Sequence, residues 1–231
     1  MKTKLFALIL ISLGAAQAQA AVLLSENFDN VGALAGNGWA AVNNSTAGGT
    51  TGWFQGDNTA AFSAFNGAAN SYIAANFNNA PLGGDISNWL LTPVIDLSAA
   101  ISISFWTRVD NVGFNDALQL RVSTSGNSAN VGGSTASVGD FSNLLVAVGA
   151  PAEQYPDAWV RYTVSILGQG AGVTGRIGFR YLVSDTSLNG DYIGIDAVRI
   201  SEVSEPATLG TMALALLMIG VMGKVRSRRP R

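Results

Sequence analysis

Between residues 22 and 202 the chain repeats one pattern: short runs with an apolar side chain at every second position, separated by clusters of Gly, Asn and Ser. Successive side chains of a strand point to opposite faces, so such runs specify half-buried β-strands. In "AISISFWTRV", Ile101, Ile103, Phe105 and Val109 share one face and Ser102, Ser104, Trp106 and Arg108 the other. Leu118, Leu120 and Val122 alternate with Gln119, Arg121 and Ser123 in the same way. Val160, Tyr162, Val164 and Ile166, then Ile177, Phe179, Tyr181 and Val183, mark two more apolar faces. "VLLSENF", "SYIAANF", "NWLLTPVIDL", "NLLVAV" and "DYIGIDAVRI" bring the expectation to about nine strands. No segment between them has a helical period. The pattern predicts an all-β fold, an antiparallel β-sandwich or jelly roll, in one domain over residues 21–202. Residues 32–70 and 124–140 are too rich in glycine for long strands and are expected as surface loops.

Composition limits the chemistry available to such a sandwich. The sequence has no cysteine and no histidine, which excludes disulfides, the usual zinc ligand sets, cysteine nucleophiles and serine nucleophiles paired with histidine. The formal charge of -2 hides a division. Every acidic residue falls between Glu26 and Glu205, where six arginines face fifteen carboxylates for a net -9, with no lysine. A surface of that sign repels phosphate backbones, so nucleic acid is not an expected partner.

The two ends read differently from the middle. Lys2 and Lys4, the apolar stretch Leu5 to Leu13, and Ala18-Gln19-Ala20 as a cleavage site make residues 1–20 a secretory signal, with the mature chain beginning at Ala21. Residues 207–223 carry no charge. As a helix they reach about 25 Å, slightly under the hydrocarbon core, and span it if the bilayer thins or Lys224 snorkels. The basic tail over 224–231, with Arg226, Arg228 and Arg229, fits the cytoplasmic side and places the acidic domain across the membrane.

Ser204-Glu205-Pro206-Ala207-Thr208, the apolar run and those arginines together resemble a PEP-CTERM sorting signal over residues 203–231. The resemblance implies an exosortase-type processing enzyme as partner, cutting near Glu205-Pro206. It also implies delivery from an inner-membrane-held precursor to the cell surface or extracellular matrix of a Gram-negative bacterium. Ser204 stands where that family has its first proline. A second resemblance rests on "SENFD", "GWFQGD", "SNWLLTPVIDLS", "SISFWTR", "NDALQLRVSTSG" and "DYIGIDAVRIS" in that order. It is to the choice-of-anchor J domain, a relative of cleaved-adhesin and MAM-type jelly rolls. It implies an extracellular sandwich used for adhesion or carbohydrate contact and not for catalysis.

Three sets of residues are candidates for a site. Asp196 lies in the last strand among Tyr192, Gly194, Val198 and Ile200, where an unpaired carboxylate is costly to bury. Either backbone N–H groups or solvent satisfy it, or a cation does; Glu26 and Asp29 lie near the other end of the domain sequence and would complete an all-oxygen structural Ca²⁺ site. Trp39, in a glycine-rich loop, and Trp106, out of phase with its strand's apolar face, are expected to present rings to a polysaccharide. Plugging the ends of the sandwich is the alternative role for such aromatics, and the better one for Trp53. Pairs such as Asp110 with Asp116, or Asp185 with Asp191, are the acid and base a glycosidase would need, though aspartates beside strands are usually turn residues. The expected protein is therefore an exported, non-enzymatic adhesion or polysaccharide-associating domain. A glycan-processing enzyme and a purely structural matrix component are its rivals. Protein isolated from its native host should begin at Ala21 and lack the basic tail; a mass showing a C-terminus at Arg231 would refute the sorting assignment.

Overall fold

A computed structural model describes residues 20–203. Within them are twelve strands: β1 (Val22–Glu26), β2 (Ala40–Asn43), β3 (Phe54–Gln55), β4 (Ile73–Asn76), β5 (Ile86–Leu91), β6 (Ile95–Asp96), β7 (Ile101–Val109), β8 (Ala117–Ser123), β9 (Asn143–Gly149), β10 (Val160–Ile166), β11 (Thr174–Val183) and β12 (Tyr192–Glu202). Among the described residues the only helical pieces are three single turns of 3₁₀ type, and no helix is long and apolar enough to cross a membrane. Ala18 of the signal site, the sorting motif, the apolar run 207–223 and the basic tail lie outside the described residues.

All pairings are antiparallel and form two sheets. Sheet A runs β10-β7-β12-β4-β3, with β1 also on β12; sheet B runs β2-β5-β11-β8-β9, with β6 on β11. The first and last strands are neighbours, Val22 opposite Ser201 and Glu26 opposite Val198. This is the predicted sandwich, with more strands than expected because three of them have only two residues each or come from the glycine-rich stretches. "NWLLTPVIDL" supplies two strands, since Pro93 cannot continue the ladder that β5 makes.

The predicted apolar faces meet between the sheets. Ile101, Ile103, Phe105 and Val109 of β7 pack with Ile177, Phe179 and Tyr181 of β11, and Leu118 and Leu120 of β8. Phe105 stacks on Tyr162 at 5.6 Å and meets Phe179 of the opposite sheet edge-on at 5.2 Å. Strand β5 is buried on both faces: Ile86 and Leu90 enter this core, while Trp89 and Leu91 pack outward under the loop that carries Val131 and Phe141. That double burial explains its continuous apolar run. Arg180 lies in the same outer layer, 5.0 Å over the Trp89 ring, and donates to Ser87 Oγ at 3.0 Å and to the Thr135 carbonyl.

Strand β12 departs from simple alternation. Gly194 pairs with Arg108 and Asp196 with Trp106, but the next pair on β7 is Arg199 with Ser104, so one extra residue is inserted. The bulge sits at Ala197, whose φ is 47°. Before it, Tyr192, Gly194 and Asp196 face outward; after it, Val198 and Ile200 join the core and Arg199 and Ser201 face outward. The expectation that Val198 and Ile200 share the face of Asp196 is thereby corrected: the bulge switches the phase.

One carboxylate is buried at the end of the sandwich. Asp116 accepts from Tyr181 Oη at 2.5 Å and from the Asp191 N–H at 3.0 Å through Oδ1, while its Oδ2 has no partner among the described residues. Burial, against those two hydrogen bonds, raises its pKa to about 6.

Alanine in the left-handed region is strained, so Ala197→Gly should stabilise the domain by roughly 0.5–1 kcal/mol in denaturant unfolding; a loss of stability would mean that the methyl group packs usefully. Because the folded pKa of Asp116 lies above its unfolded value near 3.8, the unfolded chain ionises first. Stability should then fall as pH rises from about 4 through about 6, by up to about 3 kcal/mol from this group. Asp116→Asn should flatten that part of the melting-temperature profile, and an unchanged profile would show that Asp116 is not its source.

Candidate functional site

The outer face of sheet A is divided in two by its loops. Residues 57–71 fold across the part that holds β3, β4 and the start of β12 and build a small aromatic layer there. Phe62 stacks on Tyr72 at 5.1 Å and takes Trp159 and Tyr192 edge-on at 5.4 Å. It comes this close to β12 because Gly194 has no side chain; a Cβ there would lie 2.8 Å from the Phe62 ring. The guanidinium of Arg108 lies over the Phe62 ring at 4.3 Å.

At the margin of this layer the loop ends on one exposed ring. Phe65 is 42% exposed and stacks on Trp106 with centroids 3.6 Å apart and planes 16° from parallel. Three bonds hold the segment: Trp159 Nε1 donates to the Ser63 carbonyl at 2.9 Å, Ala64 N–H to the Ala69 carbonyl at 2.9 Å, and Asn66 N–H to Asp196 Oδ2 at 2.9 Å. Gly67, at φ +88°, makes the turn that follows. Asp196 is fully buried beneath the segment and also accepts from Ala197 N–H at 2.5 Å. Burial raises its pKa to about 6; the backbone N–H groups oppose the rise and the charge of Asp29 adds to it.

The remaining part of the face is a polar field whose register is fixed by β7. Trp106 lies between Arg161 of β10 and Asp196 of β12; Ser104 lies between Thr163 and Arg199; Ser102 lies between Ser165 and Ser201. Arg161, Thr163, Ser165 and Arg199 are exposed, and Arg161 Nη2 donates to Ser104 Oγ at 3.2 Å. The exposed Phe65 borders this field of hydroxyls and guanidiniums.

Of the residues singled out in the sequence, Trp106 is on this face with one side covered by Phe65. Trp39 is not on any surface. It is 4% exposed and meets Phe28 edge-on at 5.6 Å in the core, so it supplies apolar area and has no face for a ligand. Trp53 packs against the same core. Glu26 folds back to accept from Phe28 N–H at 2.7 Å, and Asp29 is exposed. Among the described residues no three acidic side chains converge as a metal cage. The sequence does not single out Phe65, Arg161 or Arg199: the two arginines come beside Trp106 only through the strand register, and Phe65 only through the fold of the loop over 57–71.

A second concavity, about 700 Å³, lies over the outer face of sheet B. Its floor includes Ala117, Gln119, Ala147 and Leu182, and its one carboxylate, Asp85, accepts from Asp185 N–H at 3.0 Å. Of the aspartates that could pair as acid and base, Asp185 holds its own turn by accepting from Ser187 N–H at 3.0 Å, Asp191 ties down a neighbouring loop by accepting from Asn111 N–H at 2.7 Å, and Asp116 is buried on Tyr181.

No protein-family model matches the sequence, and no curated protein does. Solved structures do match the fold. The K1 cleaved adhesin domain of Lys-gingipain from Porphyromonas gingivalis W83 is 24% identical, with 78% of this chain and 98% of that one covered at a TM-score of 0.56. The K3 cleaved adhesin domain of the same protein is 18% identical over 79% and 99% at 0.53, and the K2 domain 16% identical over 77% and 98% at 0.52. Residues 21–203 have the adhesin-like jelly-roll fold of these domains.

Proposed function

We propose that the domain associates with polysaccharide, without catalysis, at the cell surface or in the extracellular matrix of a Gram-negative bacterium. The observation that carries this reading is Phe65, an exposed ring fixed on Trp106 at the edge of a hydroxyl- and guanidinium-bearing sheet face. Aromatic faces stack on sugar rings, and short polar side chains around them hydrogen-bond hydroxyls. A ring already held in place loses little freedom on binding. The likeness to cleaved adhesin domains supports the reading through the fold. On this reading the precursor is cut after Ala20 and held by the helix over 207–223. An exosortase-type enzyme then processes it near Glu205-Pro206.

The junction of β1 and β12 is the proposed place of a structural Ca²⁺. The charge of Asp29 lies close enough to disfavour ionisation of the buried Asp196, which a cation would relieve. With Glu26 bonded to the Phe28 N–H, the two aspartates and Glu26 would need backbone carbonyls or water to complete an oxygen shell.

Co-sedimentation of residues 21–203 with the host's own extracellular polysaccharide, in calcium and in chelator, tests both proposals. Expected are retention without shortening of the polymer, about tenfold weaker retention for Phe65→Ala, and a higher melting temperature in calcium. Shortening of the polymer would make the protein a glycan-processing enzyme, and no retention would leave a structural role. Equal melting temperatures in calcium and chelator would remove the metal.

A further inference from the structure

The domain is acidic and has no lysine between Glu26 and Glu205, so its six arginines are its only side-chain cations there. Four of them are engaged inside the fold. Arg108 covers Phe62. Arg121 donates to Gln119 Oε1 at 2.8 Å and to the Phe141 and Ser142 carbonyls. Arg176 donates to the carbonyls of Gly38 and Thr92, and Arg180 is buried on Trp89 and Ser87. The other two, Arg161 and Arg199, are the exposed ones, and both stand on the outer face of sheet A.

Their placement is set by β7. Arg161 is opposite Trp106 on one side of the strand and Arg199 opposite Ser104 on the other, so their Cα atoms are roughly 12 Å apart by strand spacing and rise. Arg161 uses one donor on Ser104, and among the described residues its other N–H groups have no hydrogen-bond partner. Between and beside the two guanidiniums lie Ser104, Thr163 and the Phe65-Trp106 stack.

Resting on the polysaccharide reading above, we infer that this face takes an acidic polysaccharide, with a sugar ring on Phe65 and the sugar's anionic group, carboxylate or sulfate, held by Arg161 and Arg199. A guanidinium binds a carboxylate or sulfate through paired N–H donors, which a neutral sugar hydroxyl does not reward equally. The domain's overall negative charge works against nonspecific retention of a polyanion, so retention that depends on these two side chains reports a site and not a charged surface.

The test uses residues 21–203, which contain both sheets and the whole described core. Binding is measured to four probes: a polyuronate, the same polymer with its carboxyl groups reduced to alcohols, a sulfated dextran, and unmodified dextran. Arg161→Gln and Arg199→Gln are compared singly and together, each checked for an unchanged melting temperature. The expected result is retention of the polyuronate or the sulfated dextran, with about tenfold loss for each substitution and weakening by salt. Whichever of the two polymers is retained names the anionic group. Equal retention of the reduced or unmodified polymer, or retention unchanged in the double variant, overturns the inference while leaving polysaccharide association standing. If none of these polymers and no host polysaccharide is retained, the polysaccharide reading fails as well.

Discussion

Strand β12 is the constraint on which the rest of the described structure depends. It lies inside sheet A, pairs along most of its length with β7, and is shared on its other side by β4 and then β1. Without it the first strand has no partner, and the β4–β3 pair is cut off from β7 and β10. The single inserted residue at Ala197 lets one strand serve two environments, with Asp196 turned outward beneath a loop and Val198 and Ile200 turned into the core. A bulge at that point also marks where β4 ends and β1 begins as neighbours, which is why the loops carrying Asp29 and Asn66 both arrive at Asp196.

The same strand determines what can be presented to solvent. Because Asp196 accepts the Asn66 N–H, the segment carrying Phe65 is fastened to the sheet at the position where Trp106 faces outward. The bulge then sets Arg199 beside Ser104, one row from Arg161. A single backbone irregularity thus positions the loop that bears the aromatic ring and one of the two exposed cations.

Much of the fold was legible in the sequence, because the period-two runs are determined by burial on one face. Ile101 to Val109, Leu118 to Val122 and Ile177 to Val183 pack as their alternation requires. What could not be read was anything requiring register. Trp106 stood out as a large ring on a polar face, but its cover, Phe65, comes from a glycine-rich loop with no period to place it. Arg161 and Arg199 look like ordinary polar members of their strands until β7 is set between them. Trp39 misled for a physical reason: the loop before β2 runs inward, so Gly36 and Gly38 lead into a core residue and not a surface one. The phase of β12 was misread because one inserted residue leaves no mark in composition.

The adjacency of the domain's two ends has a mechanical consequence. Glu202 N–H bonds the Ala21 carbonyl, and Val203 N–H bonds the Ala100 carbonyl, so the chain leaves β12 where that strand is clamped between β1 and β7. If the domain is tethered through the segment after Val203 while its sheet face grips a fixed polymer, tension enters along β12. It loads the rows of bonds on both sides in shear, all at once, instead of peeling them one by one. The strand that organises the sandwich is then also the one best placed to resist a pull.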